Sequence, residues 1–388
     1  MITITRADNV LKSFYLSVVA NELNTAVNPL LARIEQTSSD VWGKEVRKVA
    51  TYGVNGGIGA GKEDGELPTA SANNYAQMVT TLKNLYGKIE ISDKAIRASQ
   101  NSSGAFVNLL ESEMAALIKS SKFNFGRMLF GDGTGTLCKV KEISSNYITV
   151  DDVTNLMEGM IIDIVSASSQ TPVVTTRQIS AIDRAKKLVI ISGAPISSGT
   201  VTSGDFFTVQ GSYKNEITGL GAIFGSETLI YGLNRNTYKW LVPYKMTSST
   251  LTDITIQTAI DTLDEVAAST ANFIVCSSGV KRAYQDYLIT NRTNIDVMNL
   301  QGGYKALSYN GIPLVSDRFC PAGTMYILNT DDFHMHQLCD WRWLEGDDGR
   351  IIKQVPNKPV YTATLVKYAD VLCERPIGQA MISGITEA

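Results

Sequence analysis

The run from Ser102 to Phe130 constrains the fold of this chain more than any other stretch. Ser102 or Ser103 can cap a helix by accepting from its first free amides. Phe106, Leu110, Met114, Leu117, Phe125 and Met128 then follow at helical spacing. The spacing predicts a helix of roughly 25 residues, near 40 Å long at about 1.5 Å per residue. Gly131-Asp-Gly-Thr-Gly135 stops it. A helix of that length is long for a globular chain and reads as a structural spine.

The stretch before the spine has a different texture. KEVRKVATY alternates like a strand, VNGGIGAGKEDGELP breaks all periodicity, and AQMVTTLKNLYGKIEIS resumes strand-like spacing. Two strand segments around a glycine-rich centre predict a long hairpin with a mobile tip. Six glycines fall within residues 53–65, so ordering the tip costs unusual backbone entropy unless a partner holds it. Upstream, Leu11, Phe14, Tyr15, Val18, Val19, Leu23 and Val27 recur at helical spacing over residues 10–34. Pro29 should end or kink that helix, because it lacks an amide donor and clashes with the preceding turn.

Beyond the spine, residues 137–213 read entirely as short strands with regular turns, which predicts a small barrel or sandwich. After residue 250 helix and strand alternate. IQTAIDTLDEVAAS and GVKRAYQDYL are helical, NFIVCS is a buried strand, and YKALSYNGIPLVSD is a hairpin around Asn310-Gly311. The tail from 332 to 386 is largely strands, including HMHQLCDWRWL and KPVYTATLVKYADVLCE. The fold class is α+β.

Composition narrows the chemistry. With 388 residues, 44% apolar and 19% charged, the chain can bury a core and is long enough for about two to three domains. A net charge of −3 excludes a surface that grips nucleic acid strongly. The cysteines Cys138, Cys276, Cys320, Cys339 and Cys373 are scattered and never form C-x-x-C, so they are expected as core thiols in a reducing compartment. The start, MITITRADN, has no basic n-region, and no run of apolar residues is long enough to span a bilayer. The expectation is a soluble intracellular product.

GGIGAGKED, Gly56–Asp64, approaches the phosphate-cradling G-x-x-x-x-G-K pattern but places Glu63 where Ser or Thr should hold magnesium. Gly65, Pro68 and the polar run deny the helix whose amides would face the phosphates. Glu63, Asp64 and Glu66 would repel a triphosphate. His334 and His336, the only histidines, share one strand face and lack further ligands for a zinc site. Met335, Cys339, Trp341 and Trp343 form the apolar face, so the histidines are expected on the polar one. No G-x-S-x-G elbow precedes a helix, and Asp331-Asp332 and Asp347-Asp348 read as a helix start and a turn. No catalytic, cofactor-binding or metal-ligating residue is assigned, and the chain is not expected to be an enzyme.

The order of parts resembles the major capsid protein of tailed bacteriophages, the Hong Kong 97-like fold. The resemblance rests on NGGIGAGKEDGELPTA followed by YAQMVTTLKNLYGKIEISDKAI, and on FGDGTG at the end of the spine. ITGLGAIF with YGLNRNTYKWLVP, YNGIPLVSDRFCPAGTMYILNTDDF and WRWLEGDDGRIIKQV continue it, over most of residues 1–130 and 217–388. The resemblance implies an N-terminal arm (1–45), an extended hairpin loop (46–92) and a spine helix with peripheral domain (93–130, continued by 217–250 and 331–388). It implies an axial domain at 251–330, and 131–216 falls outside the minimal fold as an inserted all-β domain.

The implied function is self-assembly, as pentamers and hexamers, into the icosahedral shell enclosing the double-stranded DNA of a phage. The place would be the virion, with assembly in the host bacterial cytoplasm. A separate scaffolding protein and a portal protein are implied partners, a decoration protein is a further one, and contact with packaged DNA would be weak and non-specific. No membrane partner and no cofactor are implied. The lysine and asparagine of the autocatalytic crosslink of some relatives find no match, so non-covalent arm exchange is expected, with Lys62 available at the tip. The alternatives are an encapsulin-type nanocompartment shell and, more remotely, a P-loop nucleotide-binding enzyme.

Overall fold

A computed structural model describes residues 28–94, 103–291, 297–299, 305–346 and 349–388. The apolar stripe of residues 11–27 and the pair Asp347-Asp348 lie outside the described residues. The spine helix spans Ser103–Phe130, 28 residues, and closes where the Gly131 amide donates to the Met128 carbonyl at 3.0 Å. From Met114 onward its inward face buries Met114, Ile118, Phe125, Met128 and Leu129. Each such side chain contributes about 1.5–3 kcal/mol by leaving water.

That face rests on a five-stranded sheet. Its longest strand, Val360–Cys373, is rich in β-branched and aromatic residues. It pairs antiparallel with Phe333–Trp343 on one side and with Lys83–Ser92 on the other, Val360 opposite Ser92 and Ala369 opposite Lys83. Glu35–Thr37 adds in parallel beyond Phe333–Trp343. Gly87 is required by close approach, since a Cβ there would sit 3.0 Å from a Leu117 methyl on the spine. Residues 31–33, just beyond Pro29 where the helix was expected to end or kink, form a single 3-10 turn. Asn28 Oδ1 caps it by accepting from the Leu30 amide at 3.1 Å and the Leu31 amide at 3.3 Å.

The hairpin is shorter than its sequence suggested. Glu45–Tyr52 pairs with Asn74–Thr81, from Glu45 opposite Thr81 to Tyr52 opposite Asn74. The chain then breaks at Leu82, whose amide donates to the Lys44 carbonyl at 2.9 Å, and Lys83–Ser92 joins the five-stranded sheet. Lys83–Ser92, expected as part of the extended loop at 46–92, thus pairs with Val360–Cys373 and not with the hairpin's other strand. The buried set is Ala76, Met78, Thr80 and Leu82 before the break, and Leu85, Ile89 and Ile91 after it. Parity flips by one residue, which moves the inward face to a different sheet.

Residues 136–209 close a six-stranded barrel in the order Leu188–Ile191, Tyr147–Val150, Thr136–Ser144, Phe206–Val209, Ile161–Val165, Pro172–Asp183. Its own apolar core includes Val140, Ile148, Val150, Leu156, Ile162, Ile164, Val189 and Phe207. The helix–strand alternation after residue 250 forms a seven-stranded sheet with the helices Asp253–Ala267 and Ser278–Thr290. Thr252 caps the first helix by accepting from the Thr255 amide, and Ser277 caps the second by accepting from Val280. Asn310 and Gly311 take φ of 47° and 80° in a two-residue turn.

Two outer strands of this sheet come from elsewhere in the chain. Tyr244–Thr247 pairs in parallel with Ala380–Ser383, which pairs with Met325–Leu328. Ala380–Ser383, within the segment expected to continue the spine's domain, thus pairs in the seven-stranded sheet. The strand Ala380–Ser383 buries Ala380 and Ile382 in the core of the seven-stranded sheet. Among the described residues no helix is long and apolar enough to cross a membrane. Cys138, Cys276, Cys320 and Cys373 are buried, Cys339 is half-buried, and burial pushes the Cys276 thiol up to about 12.

Candidate assembly interface

The hairpin is fixed at its root and unpartnered at its tip. Its inward face buries Val46, Met78 and Thr80. The Tyr52 ring stacks on Trp240 at 5.9 Å and meets Tyr238 edge-on at 5.7 Å, and the Val79 amide donates to the Tyr231 carbonyl at 2.9 Å. The tip, residues 53–73, belongs to no strand or helix. It exposes Ile58 by 82% and Leu67 by 90%. Val49 and Tyr75 are exposed on the outer face, and Trp42 beside the root is 72% exposed.

Asp370 fastens the root. Its buried carboxylate accepts from Thr80 Oγ1 at 2.5 Å, from the Thr218 amide at 2.7 Å, from Thr218 Oγ1 at 3.1 Å and from the Val371 amide at 2.9 Å. Burial pushes its pKa up, while the Thr218 amide and the Thr80 hydroxyl oppose that shift. One carboxylate thereby joins the hairpin, the long strand and the segment that follows the barrel.

Lys367, fully buried, makes a second link. Its ammonium lies 2.7 Å from Asp340 Oδ1 and 3.4 Å from Gln36 Oε1. The rings of Phe125 and Trp341 lie 5.5 and 6.0 Å away. Burial lowers its pKa, opposed by Asp340. Arg127 on the spine makes the third, gripping Glu216 with both guanidinium ends, Nη1 to Oε2 at 2.9 Å, in a pair almost without solvent. Asn124 Oδ1 accepts from the same guanidinium at 2.7 Å.

Both histidines of the chain meet where arm, hairpin and sheet converge. His334 Nε2 lies 3.3 Å from Glu374 and Nδ1 lies 3.6 Å from Glu35, while Lys48 reaches Glu374 at 2.8 Å and Asp40 at 3.5 Å. His336 is buried, although the polar face was expected for it. It keeps the face opposite Met335, since the strand Phe333–Trp343 shifts register only beyond Gln337, but the chain at Ser39 covers that face. His336 Nδ1 faces the Ser39 carbonyl at 3.0 Å; a carbonyl only accepts, so this nitrogen carries the proton. Burial lowers the His336 pKa, partly offset by that carbonyl.

The other sequence candidates do not converge. Gly56–Asp64 lies in the exposed tip, and no helix follows it within residues 53–73, so its amides present no phosphate cradle. Asp331 and Asp332 lie in the 3-10 turn Thr330–Asp332, capped by Asn329. Among the described residues no three His, Cys, Asp or Glu side chains are placed to share a metal ion. Sequence reasoning passed over Asp370, Lys367 and the Arg127–Glu216 pair. The available signal was Lys367 and Asp370 inside an otherwise apolar strand, since charges there must be paired.

No protein-family model matches the chain, and no curated protein matches it. Solved structures do. The capsid of cyanophage A-1(L) superposes at a TM-score of 0.56 with 13% identity, over 95% of this chain and 93% of that one. At that identity the likeness is one of fold: the chain has the mixed α+β fold of a tailed-phage capsid protein. Mycobacterium phage Bobi matches at a TM-score of 0.47 and 10% identity, over 99% of both chains. The SrpI encapsulin of Synechococcus elongatus matches at 0.47 and 8%, over 95% of both.

Proposed function

We propose that this chain is the major capsid protein of a tailed bacteriophage, a shell subunit and not an enzyme. The observation that carries the reading is the capsid fold shared with cyanophage A-1(L) over nearly the whole chain. In this reading the architecture is Hong Kong 97-like. The spine helix and five-stranded sheet form the peripheral domain, and the seven-stranded sheet forms the axial domain at fivefold and sixfold axes. The barrel is an insertion, and the hairpin is the extended loop laid on a neighbour.

The unpartnered apolar tip supports that last assignment, because its exposed Ile58 and Leu67 need a surface this subunit does not supply. Small interfaces of this kind, repeated around a closed shell, hold by avidity. A scaffolding protein would direct closure in the host cytoplasm, with a portal at one vertex, and the mildly acidic chain would contain DNA without clinging to it.

The test is to express the chain alone and together with a candidate scaffolding protein and image the products by electron microscopy. Closed icosahedral particles without a protein cargo are expected. Strictly monomeric protein under both conditions would overturn the reading, and particles that load a protein cargo in place of DNA would assign the chain to nanocompartments.

A further inference from the structure

We infer that Asn55 is a site of spontaneous covalent modification, at which water converts the carboxamide to aspartate and isoaspartate through a succinimide closed by the Gly56 nitrogen. Asn55 Oδ1 accepts from the Gly57 amide at 2.9 Å. That bond folds the carboxamide over the Gly56 peptide and draws electron density from its carbonyl carbon. Gly56 has no Cβ to hinder the approach, and its surroundings hold only Ser71 at 3.4 Å from where a Cβ would stand. No backbone hydrogen bond joins residues 53–61 to any other described residue, so the rotation needed for ring closure is not opposed.

The step balances without an oxidant. The Gly56 nitrogen bonds to Asn55 Cγ, and the carboxamide nitrogen leaves as ammonia, carrying the Gly56 amide proton. Water then opens the ring at either carbonyl, its hydroxyl going to carbon and its proton to nitrogen. Opening at Cγ gives aspartate, and opening at the main-chain carbonyl gives isoaspartate, with an extra methylene in the backbone. Either product adds a negative charge to a tip that already carries Glu63, Asp64 and Glu66.

The chain contains its own control. Asn310-Gly311 is the only other Asn-Gly pair, and it is held shut. Both residues sit at positive φ in the turn closed by Tyr309 opposite Ile312. Asn310 Nδ2, the leaving nitrogen, donates to Gln257 Oε1 at 3.2 Å. Reaching the Gly311 nitrogen requires opening that turn, whereas Asn55 needs no bond in the sheet to break.

The test incubates purified full-length subunits in mildly alkaline buffer and maps peptides by mass, with isoaspartyl methyltransferase labelling as a second readout. The tip peptide should convert at least about tenfold faster than the Asn310 peptide, which is about 1.4 kcal/mol of barrier. Gly56→Ala should slow the tip about as much and leave thermal unfolding unchanged, because the added methyl makes only ordinary contact with Ser71. An unchanged Asn55, an Asn310 that keeps pace, or a Gly56→Ala protein converting at the wild-type rate would each sink the inference. Comparison with assembled particles rests on the proposed shell function. Slower conversion there reports burial of the tip by a neighbour, while the free-subunit result stands on the chemistry alone.

Discussion

Thr80 Oγ1 donates to Asp370 Oδ2 at 2.5 Å across 290 residues of sequence. The hairpin is thus tied at its root to Asp370, the buried carboxylate of the long strand. Asp370→Ala should unfold at markedly lower denaturant, by about 3–5 kcal/mol, because the Thr218 and Val371 amides lose their acceptor. Thr80→Ala removes one donor of four and should cost about 1 kcal/mol. Chemical denaturation of both variants measures the difference, and equal losses would mean that Asp370 does not act as the hub.

The Arg127–Glu216 pair predicts a larger loss for one partner than for both. Glu216→Ala leaves a buried guanidinium uncompensated and should cost about 3–5 kcal/mol. An Arg127→Met, Glu216→Leu double variant should recover much of that loss. A double-mutant cycle by denaturation gives the coupling, and additive losses would show that the pair is not energetically linked.

Asp317 carries a pH signature. Its side chain is buried, Oδ1 accepts from the Phe319 amide at 2.9 Å, and Oδ2 has no hydrogen-bond partner among the described residues. Burial raises its pKa from 3.8 to about 6. The folded state therefore holds a proton that the unfolded chain has already released, and the group costs stability as pH rises from about 4 through 6. Asp317→Asn should stabilise the chain at neutral pH by about 2 kcal/mol and lose that advantage near pH 4. Parallel pH–stability curves for the two proteins would contradict the assignment.

His336 gives the opposite sign. Its folded pKa lies below its unfolded value, so stability is present at neutral pH and is lost as pH falls below about 6.5. The charged and titratable groups acting on the ring are His334, Lys48 and Asp40, so acid should loosen the joint of Glu35–Thr37 and the hairpin root first. Amide exchange over Glu35–Thr37 and Glu45–Tyr52 should accelerate at mildly acidic pH in the native chain, and much less in His336→Gln.

Proteases should cut free subunits between about residues 55 and 66, where the backbone is open and glycine-rich, and spare assembled particles. Excising residues 55–70 should leave thermal unfolding within about 0.5 kcal/mol and abolish shell formation. Particles of normal size from the excised chain would remove the tip from the assembly mechanism.

Much of this architecture was legible because periodicity is a local property. The spine from Ser103 to Phe130, the turn at Asn310-Gly311 and the barrel strands all follow from spacing and turn chemistry within short windows. The parity flip at Leu82 was missed because Thr81-Leu82-Lys83 continues an acceptable alternation, and only the pairing of Lys83–Ser92 with Val360–Cys373 reveals the change of sheet. His336 was misplaced because its polar face is itself covered, by the Ser39 carbonyl 297 residues away in sequence. The polar links were out of reach for the same reason. Arg127 meets Glu216 across 89 residues and Thr80 meets Asp370 across 290, and no window of sequence spans either separation.

The barrel begins and ends almost at one point. The Lys214 amide donates to the Thr134 carbonyl at 2.9 Å, so the chain leaves the barrel beside the place where it entered. Such a doorway behaves as a cassette boundary. A recombination event that swapped the intervening gene segment for another independently folding module with adjacent ends would leave the spine and both sheets uncut. The barrel's fold can thus be exchanged without disturbing the pairing that holds the spine and the two sheets together.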